Sequence, residues 1–335
     1  MSDQSLHTRK LDHIQLAFQS QLADQDSRFY YEPLFSASPE SGCIPPMQMA
    51  GKIMRYPLWI SSMTGGAELA GNINKNLAIA CKEYGLGMGL GSCRPVLVDP
   101  SNAIDFAVRK YIGNQPLYAN LGIAQIEELF ATKQENRISE LVDLLEADGL
   151  IIHVNPLQEW FQPEGDKFLS PPIDTIKRVL DKFHFPIMVK EVGQGFGPKS
   201  LNELMKLPLE AVDFGAFGGT NFSVLESLRR TDVRKESWES ATHIGHTALE
   251  MSEWVIESLN QNPGEIKAKS VIVSGGINNF LDGYYFLKSI PHKTLYAHAS
   301  LFLKYAMQGE QEILAFVESQ VQGLEMAQTY LTLKK

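Results

Sequence analysis

In the stretch HVNPLQEW, residues 153 to 160, the polar side chains of His153, Asn155, Gln158 and Glu159 follow directly on the apolar run DGLII. At the end of a buried strand they would face a pocket; alternatively Asn155 and Pro156 only make a strand-to-helix turn, with Glu159 in the first helical turn. Lys190 closes PIMVK, where an ammonium among polar loops could hold an anion or an electron-rich cofactor edge, or form a buried pair with Glu191. The pairs Gly65/Gly66, Gly218/Gly219 and Gly275/Gly276 let backbone amides approach an anion, although one pair alone could be a turn. RKLDH brings together Arg9, Lys10 and His13, which suits a polyanion such as a diphosphate or else makes a solvated basic tail. GQGFGPKS is no phosphate-binding P-loop, because Pro198 separates Gly197 from Lys199 and breaks the required ending.

Apolar runs begin near residues 57–61, 85–92, 116–122, 148–155, 186–192, 211–219, 269–276 and 293–300. They lack period-two alternation, as parallel strands covered on both faces do, and helical spacing fills the segments between, for example 124–147. Eight such units predict an α/β fold, a TIM (β/α)8 barrel over residues 57–335, with a doubly wound open sheet as the rival. Residues 1–56 form an N-terminal extension expected to cover one end of the barrel, and 226–260 an insertion between strands six and seven. Active sites of this fold lie at the C-terminal strand ends, and SSMTGGAE, GSCR, NLG, KEVGQGFG, GGTNF and SGGINN all fall there. The glycine pair after strand seven, with AHAS at strand eight, coincides with the fold's usual phosphate site.

A net charge of -9 argues against a nucleic acid or an anionic membrane as partner, while leaving room for a local basic pocket. Three cysteines, Cys43, Cys81 and Cys93, without a CxxC pair make a disulfide framework or thiolate zinc site improbable and fit a reducing cytoplasm. No continuous apolar stretch predicts a signal peptide or a membrane span.

RKLDH, MTGG, GSCR, HVNPLQE, KEVGQGFG, GGTNF and SGGI, in this order along nearly the whole chain, resemble the FMN-dependent type 2 isopentenyl-diphosphate isomerases. The resemblance implies interconversion of isopentenyl and dimethylallyl diphosphate with reduced FMN as acid/base catalyst, Mg2+ on the diphosphate, and NADPH or NADH as reductant. It implies FMN contacts from Met63, Thr64, Ser92, Asn120, Lys190, Thr220, Gly275, Gly276, Ala299 and Ser300. Arg9, Lys10, His13, Arg94, His153, Asn155 and Gln158 would line the substrate site, with His153 and Gln158 beside the reacting atoms and Glu159 as metal carboxylate. A homotetramer or homo-octamer is implied as well. Cys93, Gly215, His246 and Asn278 depart from the family pattern, where glutamine, serine, proline and arginine are expected, and each departure weakens one flavin or loop contact. Two other functions remain open on the residues: an FMN-dependent oxidoreductase of the hydroxy acid oxidase type, and a non-catalytic flavin-binding barrel.

Overall fold

The computed structural model describes residues 3–62 and 68–334. Its centre is a closed barrel of eight parallel strands: β1 Leu58–Ile60, β2 Gly87–Gly89, β3 Leu117–Gly122, β4 Gly149–Val154, β5 Ile187–Glu191, β6 Ala211–Asp213, β7 Val271–Ser274 and β8 Thr294–His298. Each coincides with one of the eight apolar runs, and β8 pairs with β1 to close the ring, which rules out the open sheet. Helices wrap the outside, as the alternation of strand and amphipathic segments requires.

Side chains fill the barrel. Trp59, Tyr118, Ile151, Met188, Ile272 and Leu295 form one buried cluster, in which Trp59 and Tyr118 meet edge to face at 5.8 Å. Gly87 makes room for Trp59: a Cβ there would lie 2.4 Å from the indole. An antiparallel hairpin, Met47–Met49 with Lys52–Met54, adds Met49 and Met54 to this cluster. Its two-residue turn, Ala50 and Gly51, has positive φ at both positions, the conformation a tight hairpin favours. Ala50 N donates to Glu210 Oε1, just before β6, so the hairpin plugs the N-terminal end of the barrel.

The rest of the extension behaves differently. Phe29–Tyr31 pairs antiparallel with Leu331–Leu333, while the helix Asp3–Leu16 is exposed over all its described side chains. Between β6 and β7 the inserted stretch folds as helices Phe222–Arg229, Arg234–Ser237 and Ala248–Gln261, the last started by a Thr247/Glu250 capping box. No helix among the described residues is long and apolar enough to cross a membrane.

Candidate active site

Parallel registry lines up the polar strand ends. His153 pairs with Lys190, and Lys190 with Asp213, so three chemically capable residues stand on adjacent strands at one height. Lys190 Nζ lies 3.7 Å from Asp213 Oδ2 and donates to the Glu191 backbone carbonyl at 3.0 Å. Asp213 is 2% exposed, accepts from Ser61 Oγ at 3.2 Å, and also accepts from Ser274 Oγ. The Glu191 carboxylate is not the partner of Lys190: its Oε2 accepts the backbone N–H groups of Gly193, Gln194 and Gly195 at 2.6 to 2.8 Å. Burial nevertheless pushes that carboxyl up to about 7, against the pull of those amides and of Lys190.

His153 Nδ1 lies 2.8 Å from Asn120 Oδ1, and the Asn120 amide is oriented by its donation to Leu90 O at 3.1 Å. Nδ1 therefore carries the hydrogen, which leaves Nε2 as an acceptor in the neutral ring. Burial, reinforced by the Lys190 charge, pushes the imidazole down to about 4. It is neutral near pH 7.

Two adjoining clefts open here, of about 520 and 480 Å3. Ser62, Lys190, Val192 and Phe222 line both. The first contains Thr220, Gly275, Gly276, Ala299 and Ser300; the second contains Ser92, Asn120, His153 and Gln158. The glycines are sterically required. Gly275, at φ 87°, would place a Cβ 2.0 Å from Ala216 O, and a Cβ on Gly219 would lie 3.0 Å from the Gly275 Cα. Two loops thus touch backbone to backbone, forming a cradle that any side chain would fill, beside the first turn of the helix Ser300–Gln308. Ser62 Oγ, buried with no hydrogen-bond partner among the described residues, adds an unsatisfied polar group at the junction of the clefts. A glycine cradle joined to a Lys190-lined slot fits a phosphate-bearing ring cofactor such as FMN.

The HVNPLQEW stretch does turn into a helix, Pro156–Phe161, with proline in its first turn. It also does more than turn. Asn155, 2% exposed, donates Nδ2 to Gln158 Oε1 at 3.1 Å and to Glu159 Oε1 at 2.8 Å. Gln158 faces the cleft of His153, and its Nε2 approaches Glu226 Oε1 at 3.4 Å; the other Glu226 oxygen is held by Arg229 at 2.5 Å. Glu159 instead faces an outer groove, and its Oε2 accepts Asp166 N at 2.7 Å. Asp166 in turn binds Arg94 Nη1 and Gln125 Nε2, each at 2.9 Å. Among the described residues no three His, Cys, Asp or Glu side chains gather as a metal cage. The oxygens of Glu159, Gln158 and Asn155, whose Oδ1 is buried without a partner, nevertheless fit Mg2+, which is commonly held by one carboxylate plus water and phosphate.

Not every expected residue joins this cluster. Arg9, Lys10 and His13 are exposed on the helix Asp3–Leu16. Met63 and Thr64, with Gly65 and Gly66, lie outside the described residues. The departures from the family pattern have local explanations. Gly215, at φ 53°, would place a Cβ 2.0 Å from Glu191 O, so serine does not fit this backbone. His246 N donates to Gln194 O at 2.7 Å, a bond proline could not make. Asn278 donates its side-chain Nδ2 to Gly276 O at 3.2 Å, and Cys93 is a buried thiol pushed up to about 12. Ser62, Asp213, Asp166 and Glu226 were not singled out from sequence; a lone aspartate inside the apolar AVDF was the one visible signal.

No family model matches the chain. It is 35% identical over 292 residues to the isopentenyl-diphosphate delta-isomerase of Cronobacter sakazakii, covering 84% of this chain and 81% of that protein. The enzyme of that name from Synechocystis sp. is 32% identical over 329 residues, covering 95% and 90%. Among solved structures, a flavocytochrome b2 variant with benzoylformate superposes with a TM-score of 0.61 at 14% identity, over 90% of this chain and 71% of that one. A mandelate oxidase variant with a monooxide FMN adduct superposes with a TM-score of 0.55 at 11% identity, over 99% of both chains.

Proposed function

The chain belongs to the type 2 isopentenyl-diphosphate delta-isomerase family, and from that premise we propose that it interconverts isopentenyl and dimethylallyl diphosphate on a reduced FMN seated in the two joined clefts. The observation that carries this reading is the glycine cradle continuous with a slot where Lys190, His153 and Gln158 meet. A flavocytochrome b2 and a mandelate oxidase share only the fold, at 14 and 11% identity, whereas relatives named for the isomerisation share 32 to 35% of the sequence.

Moving a double bond requires a proton added at one carbon and removed from another. Reduced FMN, when bound, would supply both the acid and the base. Lys190 would favour an anionic reduced ring, with Asp213 moderating its charge at 3.7 Å. Neutral His153 would accept a hydrogen bond at Nε2, held by Asn120. Gln158, oriented between Asn155 and Glu226, would position the substrate at the cleft wall. Glu159 would hold Mg2+, and the ion together with Arg94 would take up diphosphate charge. In this reading Arg9, Lys10 and His13 add substrate contacts only if their exposed helix moves to the mouth. NADPH or NADH as reductant, a homotetrameric or homo-octameric assembly and a cytoplasmic setting belong to the same proposal.

The test is an anaerobic assay of the purified protein with isopentenyl diphosphate and, separately, a panel of 2-hydroxy acids. Bound flavin together with dimethylallyl diphosphate as product supports the reading. Oxidation of a hydroxy acid would replace it with oxidoreductase chemistry, and bound flavin without any turnover would leave a scaffold.

A further inference from the structure

Outside the barrel mouth, the helix Pro156–Phe161 and the insertion between β6 and β7 bound a groove of about 1080 Å3. Trp160, Phe168 and Trp238 line it, with Lys167 and Arg234. Trp160 is 65% exposed, and its indole is braced 5.5 Å from that of Trp238. Trp238 packs edge-on against Phe161 and under the guanidinium groups of Arg230 and Arg234, at 5.1 and 5.5 Å. The platform is therefore fixed from behind and open in front.

Charge in the groove is unevenly committed. Glu159 and Asp166 are satisfied by Asn155, by a backbone amide, by Arg94 and by Gln125, and Arg230 is held by Asp232. Lys167 and Arg234 are exposed and have no ion pair among the described residues. An open indole face beside the Lys167 ammonium and the exposed guanidinium of Arg234, which also stacks on Trp238, has the chemistry to stack a nucleobase and bind its phosphates. The net charge of -9 disfavours a nucleic acid as the source of that base. Only the short helix that turns Gln158 inward separates the groove from the Lys190 cleft.

We propose that this groove binds the adenylate end of the nicotinamide dinucleotide that reduces the flavin, with the base on Trp160 and the phosphates on Lys167 and Arg234. The inference rests on the flavin-dependent reading above. From the groove the dinucleotide reaches over the helix to the cleft. There a hydride leaves the dihydronicotinamide for the oxidised isoalloxazine, giving the nicotinamide cation and the anionic reduced ring, with no other reactant needed.

The experiment titrates the purified protein with adenosine 2′,5′-bisphosphate and with AMP while following tryptophan fluorescence. Saturable quenching is expected, lost in Trp160→Leu and weakened about ten-fold in Arg234→Gln and Lys167→Gln. Tighter binding of the 2′-phosphorylated probe assigns NADPH, and equal binding assigns NADH. In the same variants the KM of the dinucleotide for flavin reduction should rise about ten-fold, while isomerisation with dithionite-reduced flavin stays at the parent rate. Parent-like probe affinity and KM in all variants would overturn the proposal. A change in oligomeric mass on replacing Trp160, with probe binding intact, would also overturn it and assign the face to a contact between copies. The flavin reading fails separately, if the parent protein does not isomerise with dithionite-reduced flavin.

Discussion

His153 and Asn120 form a tautomer lock: Nδ1 of the imidazole donates to Oδ1 of an amide whose own Nδ2 is fixed on Leu90 O. Burial and the neighbouring Lys190 charge keep the ring neutral down to about pH 4. Because the folded value lies below the usual 6.5, this residue's contribution to stability is complete above about pH 6.5. It is lost as pH falls toward about 4, where the folded ring is forced to protonate. Urea unfolding between pH 4 and 7 should show that decline. Asn120→Asp, which gives the imidazolium a counter-charge, should flatten it, and a slope identical to the parent's would show that this imidazole does not govern the decline.

Lys190 and Asp213 should move the flavin in opposite directions. Lys190→Met removes the cation and is expected to lower the reduction potential of bound FMN by roughly 30 mV or more, a ten-fold change for two electrons. Asp213→Asn leaves the ammonium uncompensated at 3.7 Å and should raise the potential. Potentiometric titration of both variants checks the pair; shifts of the same sign would contradict the assigned electrostatics.

Gly275→Ala forces a Cβ against Ala216 O at a positive φ, so a cost above about 1 to 3 kcal/mol and loss of bound flavin are expected. Gly264→Ala, with open space around it, is the control and should retain both Tm and flavin. Thermal unfolding and the flavin-to-protein ratio measure the two effects.

Glu159 and Glu226 are separable although both sit beside Gln158. Glu159→Gln should raise the magnesium concentration for half-maximal rate at least about ten-fold with FMN still bound. Glu226→Gln should instead lower kcat and leave the magnesium curve in place, because its contact is with the Gln158 amide. Magnesium titrations at saturating substrate distinguish them. A parent-like curve for Glu159→Gln would return that carboxylate to the helix N-terminus.

The barrel was legible because its signal is local: each strand is a short apolar run closed by a polar or glycine-rich segment. Lys190, Ser92, Asn120, His153 and the glycines of β7 could be placed for the same reason, since a strand-end residue of this fold points into the mouth. What could not be read was pairing across elements. Lys190 is followed in sequence by Glu191 but is partnered by Asp213 from the next strand, while Glu191 is turned into its own glycine loop. Glu226 reaches Gln158 from 68 residues away. Gln158 and Glu159 read as one motif, yet Gln158 lines the cleft of His153 and Glu159 the outer groove, with Asn155 Nδ2 donating to both. The Arg9, Lys10 and His13 cluster shows the converse: sequence names candidate ligands, but the helix that carries them is exposed over its described side chains.

The most direct measurement follows dimethylallyl diphosphate formation anaerobically with the flavin first oxidised and then chemically reduced in the same sample. Turnover that is nearly absent before reduction and appears after it is the expected result, since no side-chain acid/base pair among the described residues of the clefts serves both carbons. Equal rates in the two flavin states would contradict the account.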